Sequence, residues 1–326
     1  MNKTFITFIV LSLSITAKSQ KVDFSVVSVP EEAELNFLQI TQAKDYVCMP
    51  TVKRNSKRID WYTNHIIDIS ADNKDLAYLS YRNNTTNIFI KSIDKLNSSI
   101  QRTNRKNVLD FSYSPDGKNI CFSEKNGKTT QIFQTNAKKG YICRQITNNN
   151  KDYTPIYTND ASRILFSRQE SNSISIWCYD IEGNFLSSCT TGMNPCPTNE
   201  NNTIICSRQN NEGRNEIWKI NYEEGTEELI ISDTEKSFTS PRISPDGNWI
   251  IFVGSSKIST EDFTYWNTDI YASLIDGTKL TQITYHAADD LSPIWSKDGN
   301  YIYFISQRGS AEGSANIWRI QFSNKE

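Results

Sequence analysis

The sequence predicts an all-β protein of the six-bladed propeller class, with four antiparallel strands in each blade. Three observations carry that prediction. A short apolar strand, a tight turn, a second apolar strand and an Ile-aromatic pair recur six times along the 326 residues. The repeat of about 44 residues matches the ~40–45 residues that one four-stranded blade needs. The apolar runs are short, β-branched and aromatic, with Asn, Asp, Gly and Ser clusters between them, which is strand chemistry and not helix chemistry.

The turn acids Asp72, Asp116, Asp160, Glu200, Asp246 and Asp298 form one column, successively 44, 44, 40, 46 and 52 residues apart. Five residues before each stand Ile67, Phe111, Pro155, Pro195, Pro241 and Pro293, which open the first strands. The second strands run through Leu76-Ala77-Tyr78, Ile120-Cys121-Phe122, Ile164-Leu165-Phe166, Ile204-Ile205-Cys206, Ile250-Ile251-Phe252 and Ile302-Tyr303-Phe304. The third strands carry Ile88-Phe89, Ile132-Phe133, Ile176-Trp177, Ile217-Trp218, Ile270-Tyr271 and Ile317-Trp318. In Pro115-Asp116-Gly117 and Pro245-Asp246-Gly247, Pro fixes φ at the first corner, Asp bonds its own backbone and Gly accepts positive φ. The turn aspartates are therefore read as structural.

The final blade lacks a fourth strand of its own, because the repeat stops at Gln321-Phe322. Residues 35–41, Leu-Asn-Phe-Leu-Gln-Ile-Thr, resemble the fourth-strand segment Lys279-Leu280-Thr281-Gln282-Ile283-Thr284. They are expected to complete the sixth blade, joining the two ends of the chain and removing an exposed sheet edge.

These columns resemble the WD40-like propeller repeat of the TolB family, the periplasmic component of the Tol system, and the propeller domains of prolyl-oligopeptidase-type peptidases. The resemblance covers about residues 60–322. Its best copy is Ser292-Pro293-Ile294-Trp295-Ser296-Lys297-Asp298-Gly299 with Ser306-Gln307-Arg308-Gly309 and Asn316-Ile317-Trp318. It is specific for the fold and implies a protein or peptide partner in the cell envelope. The chain departs from TolB in leaving only about 40 residues before the first blade, too few for that family's separate N-terminal α/β domain. Contacts made by that domain do not carry over.

At the N-terminus, Lys3 precedes an apolar run from Phe5 to Ala17, and Ala17-Lys18-Ser19 sets small residues at the −3 and −1 positions before Gln20. That is the pattern of a secretory signal peptide. The expected organisation is a signal peptide over residues 1–19 and a single propeller over 20–326. The mature protein is expected to be periplasmic or secreted after cleavage near Ser19/Gln20. The run is too short for a membrane span of about 20 residues, and the nearest cysteine is Cys48, so no lipid anchor is expected at the cleavage point.

Composition excludes nucleic acid as a partner. The formal charge is −2 and the pI about 5.9, with Lys and Arg scattered, so no basic stripe faces phosphates. Aromatics make up 11% of the residues, enough to fill the space between stacked blades.

Strand polarity sorts the loops into two faces. One face collects the second-to-third loops, with Arg82, Lys125, Arg168, Arg208, Lys257 and Arg308. The connections between blades join them there, with His65, Asp152, Tyr153, Tyr285, His286, Asp289 and Asp290. Two readings of this cation-rich rim stand open. As a binding surface, a guanidinium grips carboxylates in two bonds and a phenol adds contact area at small entropic cost. As architecture, an Arg after each second strand ties neighbouring carbonyls and acids. The densest cluster is Tyr285-His286 with Asp289-Asp290. The longest second-to-third loop, Gly254 to Thr268 with Phe263, Tyr265 and Trp266, belongs to the blade before it.

No catalytic residue, metal ligand set or cofactor is predicted. The two histidines, His65 and His286, fall in different blades without ligand spacing. Some propellers that resemble this one are oligogalacturonate lyases with a histidine-rich metal site, and that chemistry would be short of ligands here. There is no Gly-x-Ser-x-Gly elbow. A glycan at the same face, bound or cleaved, is the alternative to a peptide ligand. Of the seven cysteines, Cys121, Cys178 and Cys206 stand in apolar strand columns and read as packed thiols, while Cys189 and Cys196 are the pair best placed for a bridge.

Overall fold

The computed structural model describes residues 24–50, 52–54, 59–61, 65–95, 98–139, 141–148, 151–259, 264–310 and 312–323. The proposed signal peptide and Phe263 lie outside the described residues.

Six four-stranded antiparallel sheets follow one another around a ring. Blade 1 is built from Ile67–Ile69, Asp75–Arg82, Thr85–Ser92 and Ser99–Gln101; blade 2 from Val108–Tyr113, Asn119–Asn126, Thr129–Asn136 and Cys143–Gln145. Blade 3 comprises Asp152–Tyr157, Arg163–Gln169, Ile174–Asp180 and Phe185–Thr191; blade 4 Met193–Pro197, Thr203–Gln209, Asn215–Asn221 and Thr226–Ile231. Blade 5 comprises Ser237–Ile243, Trp249–Ser259, Thr264–Leu274 and Thr281–Gln282. Blade 6 joins Asp290–Trp295, Tyr301–Ser306 and Asn316–Gln321 to the distant strand Leu38–Gln39.

The turn column does what its residue types imply. Asp116 Oδ1 accepts from Ser114 Oγ at 2.6 Å and Lys118 N at 3.0 Å, while Ser114 Oγ accepts from Asn119 N at 2.9 Å. Asp72, Asp160 and Asp298 repeat the pattern. These bonds hold the Asp116 and Asp160 carboxyls down at about 2. Gly117, Gly247 and Gly299 occupy the left-handed corner, but blade 3 places Ala161 there at φ 59°.

Closure rests on a second short motif. In blades 1, 2 and 5 a fourth-strand Gln donates from Nε2 to the carbonyl of the Thr two residues on. The hydroxyls of these residues, Thr103, Thr147 and Thr284, accept from the third-strand amides of Ile88, Ile132 and Ile270. Gln39 and Thr41 repeat both bonds: Gln39 Nε2 to Thr41 O at 2.7 Å, and Ile317 N to Thr41 Oγ1 at 2.8 Å. Leu38 pairs with Arg319 and Gln39 with Trp318. The two-residue strand sits within the expected 35–41 segment and closes the ring as the sequence predicted.

The apolar core lies between blades. Ile251, Val253, Ile302 and Phe304 pack between blades 5 and 6; Leu165, Ile176, Ile204 and Cys206 pack between blades 3 and 4. Burying each of the Ile, Leu, Val and Phe side chains contributes about 1.5–3 kcal/mol. Blade 5 corrects one expectation. Most of the segment read as a long loop from Gly254 to Thr268 is a hairpin, with Ser256 facing Asn267 and Ile258 facing Tyr265, because its β-branched and aromatic residues suit a pleated surface. Cysteine placement differs as well: Cys189 and Cys196 are not bridged, since Cys189 packs with Cys178 between blades 3 and 4, while Cys196 belongs to the core between blades 4 and 5.

The innermost strands of blades 3 to 6 share a kink. Thr154, Asn194, Ser240 and Ser292 take φ between 52° and 59°, each immediately before a proline. A left-handed residue costs about 1–2 kcal/mol, and the position before proline normally favours extended backbone. Each coincides with a register shift against the second strand. Such bulges re-aim the following side chains, and here Ile156, Cys196, Arg242 and Ile294 line the central cavity.

Candidate functional site: the two ends of the tunnel

At the end formed by second-to-third loops and inter-blade connections, cations lie over aromatic rings in every blade. Arg82 sits 4.1 Å from the Phe89 ring, Arg105 4.5 Å from Phe133, Arg168 4.2 Å from Trp177 and Arg208 4.9 Å from Trp218. Lys236 lies 5.3 Å from Tyr271 and Arg308 4.3 Å from Phe37. Stacking of this kind favours a planar guanidinium.

Most of these cations also have acidic partners. Arg168 grips Asp152 in two bonds of 2.7 and 3.0 Å, and Arg208 holds Glu227 at 2.7 Å. Arg105 pairs with Glu124. Arg82 donates to the Asp45 carbonyl at 3.0 Å and to Ser80 Oγ at 2.9 Å, while Asp45 itself takes buried Lys91 at 2.6 Å.

Arg308 is fully buried between Glu32, at 3.0 and 3.1 Å, and Asp290, at 2.5 Å. Asp290 is pushed up to about 6 by burial, although Arg308 pulls it back. Beside them, burial and the neighbouring Asp290 push Asp269 up to about 9. Glu32 belongs to an N-terminal strap, and it also accepts from Tyr285 N at 2.8 Å and Val29 N at 3.2 Å. His286 is buried, its ring accepting from Ala288 N at 2.9 Å, and burial lowers its pKa. Asp289 is half-buried and accepts from Thr268. Tyr153, Tyr265 and Trp266 are half-buried, and Trp266 packs on the core between blades 5 and 6. Tyr285, Lys125 and Lys257 are exposed. The structure thus brings Asp290, Arg308 and Tyr285 together around the strap, and it commits Arg82, Arg168 and Arg208 to partners inside their own region.

The other end is built differently. A cavity of about 350 Å³ lies on the tunnel axis, walled by first strands of all six blades and rimmed by the first-to-second loops. Pro115, Asn159, Asn199, Pro245 and Lys297 form the rim; Tyr113, Tyr157, Ile243, Ile294 and Trp295 make much of the wall apolar. The charged groups are Asp68 and Arg242, with Lys297 at the mouth 3.9 Å from Asp68. Asp68 uses its oxygens on Ile69 N at 2.7 Å and Tyr113 N at 2.8 Å. Arg242 is buried; among the described residues it donates once, to the Pro241 carbonyl at 2.7 Å, and its Nε has no partner. Its own carbonyl accepts from Trp295 Nε1 at 3.0 Å.

His65 lines the same cavity, with Nδ1 unpartnered; burial lowers its pKa, reinforced by Arg242 and Lys297. Behind the wall, Asp110 accepts from Ser123 at 2.5 Å, has a free Oδ2, and is pushed up to about 7 by burial. A larger cavity, about 450 Å³, lies under the strap at the edge of blades 5 and 6, but no buried orphan polar group faces it. No group of three potential metal ligands occurs among the described residues.

Sequence reasoning missed Arg242. Its signal was present: the residues following the first-strand column read Asp68, Ser112, Ile156, Cys196, Arg242 and Ile294. An Arg among mostly small or apolar wall residues marks that blade.

A closed ring of six four-stranded blades around an axial cavity defines the β-propeller class. The TolB beta propeller domain family matches residues 54–261, and the chain belongs to that family. Solved structures agree at the level of fold. A protein assigned as TolB from Agrobacterium tumefaciens superposes with TM-score 0.58 at 16% identity, covering 82% of this chain and 95% of that one. TolB from Acinetobacter baumannii gives 0.61 at 16% identity, covering 77% of this chain and 64% of that one. Oligogalacturonate lyase from Vibrio parahaemolyticus gives 0.57 at 11% identity, covering 89% and 97%.

Proposed function

We propose that this chain is a non-catalytic, envelope-located scaffold that holds a segment of a partner protein at the tunnel mouth on the face of the first-to-second loops. The observation that carries the reading is convergence. All six blades contribute wall to one axial cavity, and its buried polar groups, His65 and Arg242, hold bonding capacity that no group among the described residues takes up. Buried polar atoms are normally satisfied, so exceptions that share a cavity point to a ligand. Membership of the TolB propeller family favours a protein partner, and the leader pattern of residues 1–19 supports a periplasmic or secreted location. Among the described residues, no helix is long and apolar enough to cross a membrane.

The opposite rim, with exposed Tyr285, Lys125 and Lys257, is the competing surface. A photo-crosslinking residue at Asn199 should capture the partner in envelope preparations, whereas one at Lys125 should not. Capture from Lys125 alone would place the function on the other rim. An acidic glycan is the second reading, favoured by Arg242 as a carboxylate receptor and by likeness to a lyase named for oligogalacturonate.

A further inference from the structure

The protein's other buried arginines show what a finished guanidinium site looks like here. Arg168 and Arg308 each hold a carboxylate in paired bonds and lie over aromatic rings. Arg242 is as buried as Arg168 but has one hydrogen bond, to a carbonyl. Carboxylate is the partner a planar fork fits best.

The neighbouring charges do not fill that vacancy. Asp68 is committed to two backbone amides, and no hydrogen bond joins it to Arg242. Asp110 influences Arg242 through space, yet burial raises its carboxyl toward neutrality. Lys297 adds a second cation at the mouth. Arg242 and Lys297 against one committed Asp68 leave the cavity favouring an anion. Its backbone support is firm, since Trp295 of the next blade holds the Arg242 carbonyl.

Resting on the tunnel reading above, we propose that the group received in the cavity is a carboxylate of an acidic peptide segment, seated against Arg242 with Lys297 at the entrance. The carboxylate comes from an Asp or Glu side chain or from a chain terminus. The wall favours a peptide over an acidic sugar. Ile156, Pro197, Ile243, Ile294 and Trp295 suit the aliphatic side chains that neighbour the carboxylate in a peptide.

The test uses the full mature chain and four probes measured by calorimetry: acetyl-trialanyl-aspartyl amide, its asparaginyl counterpart, acetyl-tetraalanine with a free C-terminus, and digalacturonate. At least one carboxylate peptide should bind about tenfold or more tightly than the asparaginyl peptide, the scale of a charge-assisted pair. That preference should vanish in Arg242→Gln. Because Arg242→Gln removes a buried group and could unfold the chain, Lys297→Gln, at the half-exposed mouth, provides a second variant and should shrink the preference without changing the melting temperature. Equal binding of acidic and neutral peptides would overturn the carboxylate assignment while leaving the tunnel reading intact. Binding of digalacturonate with no peptide binding would overturn the peptide. No binding by any probe would overturn the proposal, with the Asn199 crosslink deciding separately whether the tunnel end still takes a partner.

Discussion

The two ends of the tunnel use the same side chain for opposite purposes. At the inter-blade end, Arg168 and Arg308 are locked to acids and rings; at the loop end, Arg242 is buried and unmatched. The lesson is that charge on a rim says little about availability. What distinguishes a tie from a receptor is whether the donors are already spent, and a buried ion pair is maintained at a desolvation cost that only good geometry offsets.

The largest effect should come from breaking a tie. Arg308→Met strands Glu32 and Asp290 without their cation, and should lower stability by about 3–5 kcal/mol. Thermal unfolding should show a fall on the order of 10 °C, with peptide binding at the tunnel mouth unchanged below the new transition. A small shift in melting temperature combined with lost binding would reverse the roles assigned to the two ends.

A pH series separates the ends further. Asp269 and Asp290 have folded pKa values raised above the ordinary carboxyl range. Each is therefore protonated in the fold where the unfolded chain is ionised, so its contribution is fully present below about pH 4 and is lost as pH rises through about 6 for Asp290 and about 9 for Asp269. Asp269→Asn should flatten the decline in melting temperature between pH 5 and 9; an unchanged slope would mean that Asp269 is ionised throughout. Behind the tunnel wall the corresponding group is Asp110, which acts on Arg242 through space, while Asp68, His65 and Lys297 line the cavity itself. Acidic-peptide affinity should weaken as pH passes about 7 and Asp110 gains charge.

Smaller effects test the frame that both ends share. Thr41→Val removes the hydroxyl that takes Ile317 N, and should cost about 1 kcal/mol in denaturant unfolding; no change would mean that the closing strand contributes only its backbone. Ala161→Gly relieves a left-handed alanine in a first-to-second loop, and should stabilise by up to about 1 kcal/mol with tunnel binding untouched. Destabilisation there would mean that the methyl group packs usefully.

The fold was legible because each blade repeats its own instructions. The turn aspartates, the first-strand prolines and the Gln-x-Thr pair at Gln39 and Thr41 are local signals, and each acts within a few residues or across one strand pair. The site was less legible because pairing is not local. Nothing near Arg308 in sequence announces Glu32, 276 residues away, and nothing near Arg242 announces that no acid comes to meet it. The rim was placed by blade topology, which says where a side chain emerges but not what it meets, and its arginines turned out to be mostly internal. The blade 5 hairpin was misread for a related reason: its Ser and Thr residues look like loop, yet Ile258 pairs with Tyr265 and Lys257 with Trp266 across the strands.

The clasp between Leu38–Gln39 and Asn316–Gln321 gives the chain a way of registering its own completeness. In synthesis order, the first half of the clasp appears before any blade and the second only after five have formed. A product truncated anywhere in between is an open fan with two bare edges, suited to association with other edges and to degradation. Only the finished chain can hide both, and with a single pair of strands it changes from a sticky intermediate into a ring that has no end to offer.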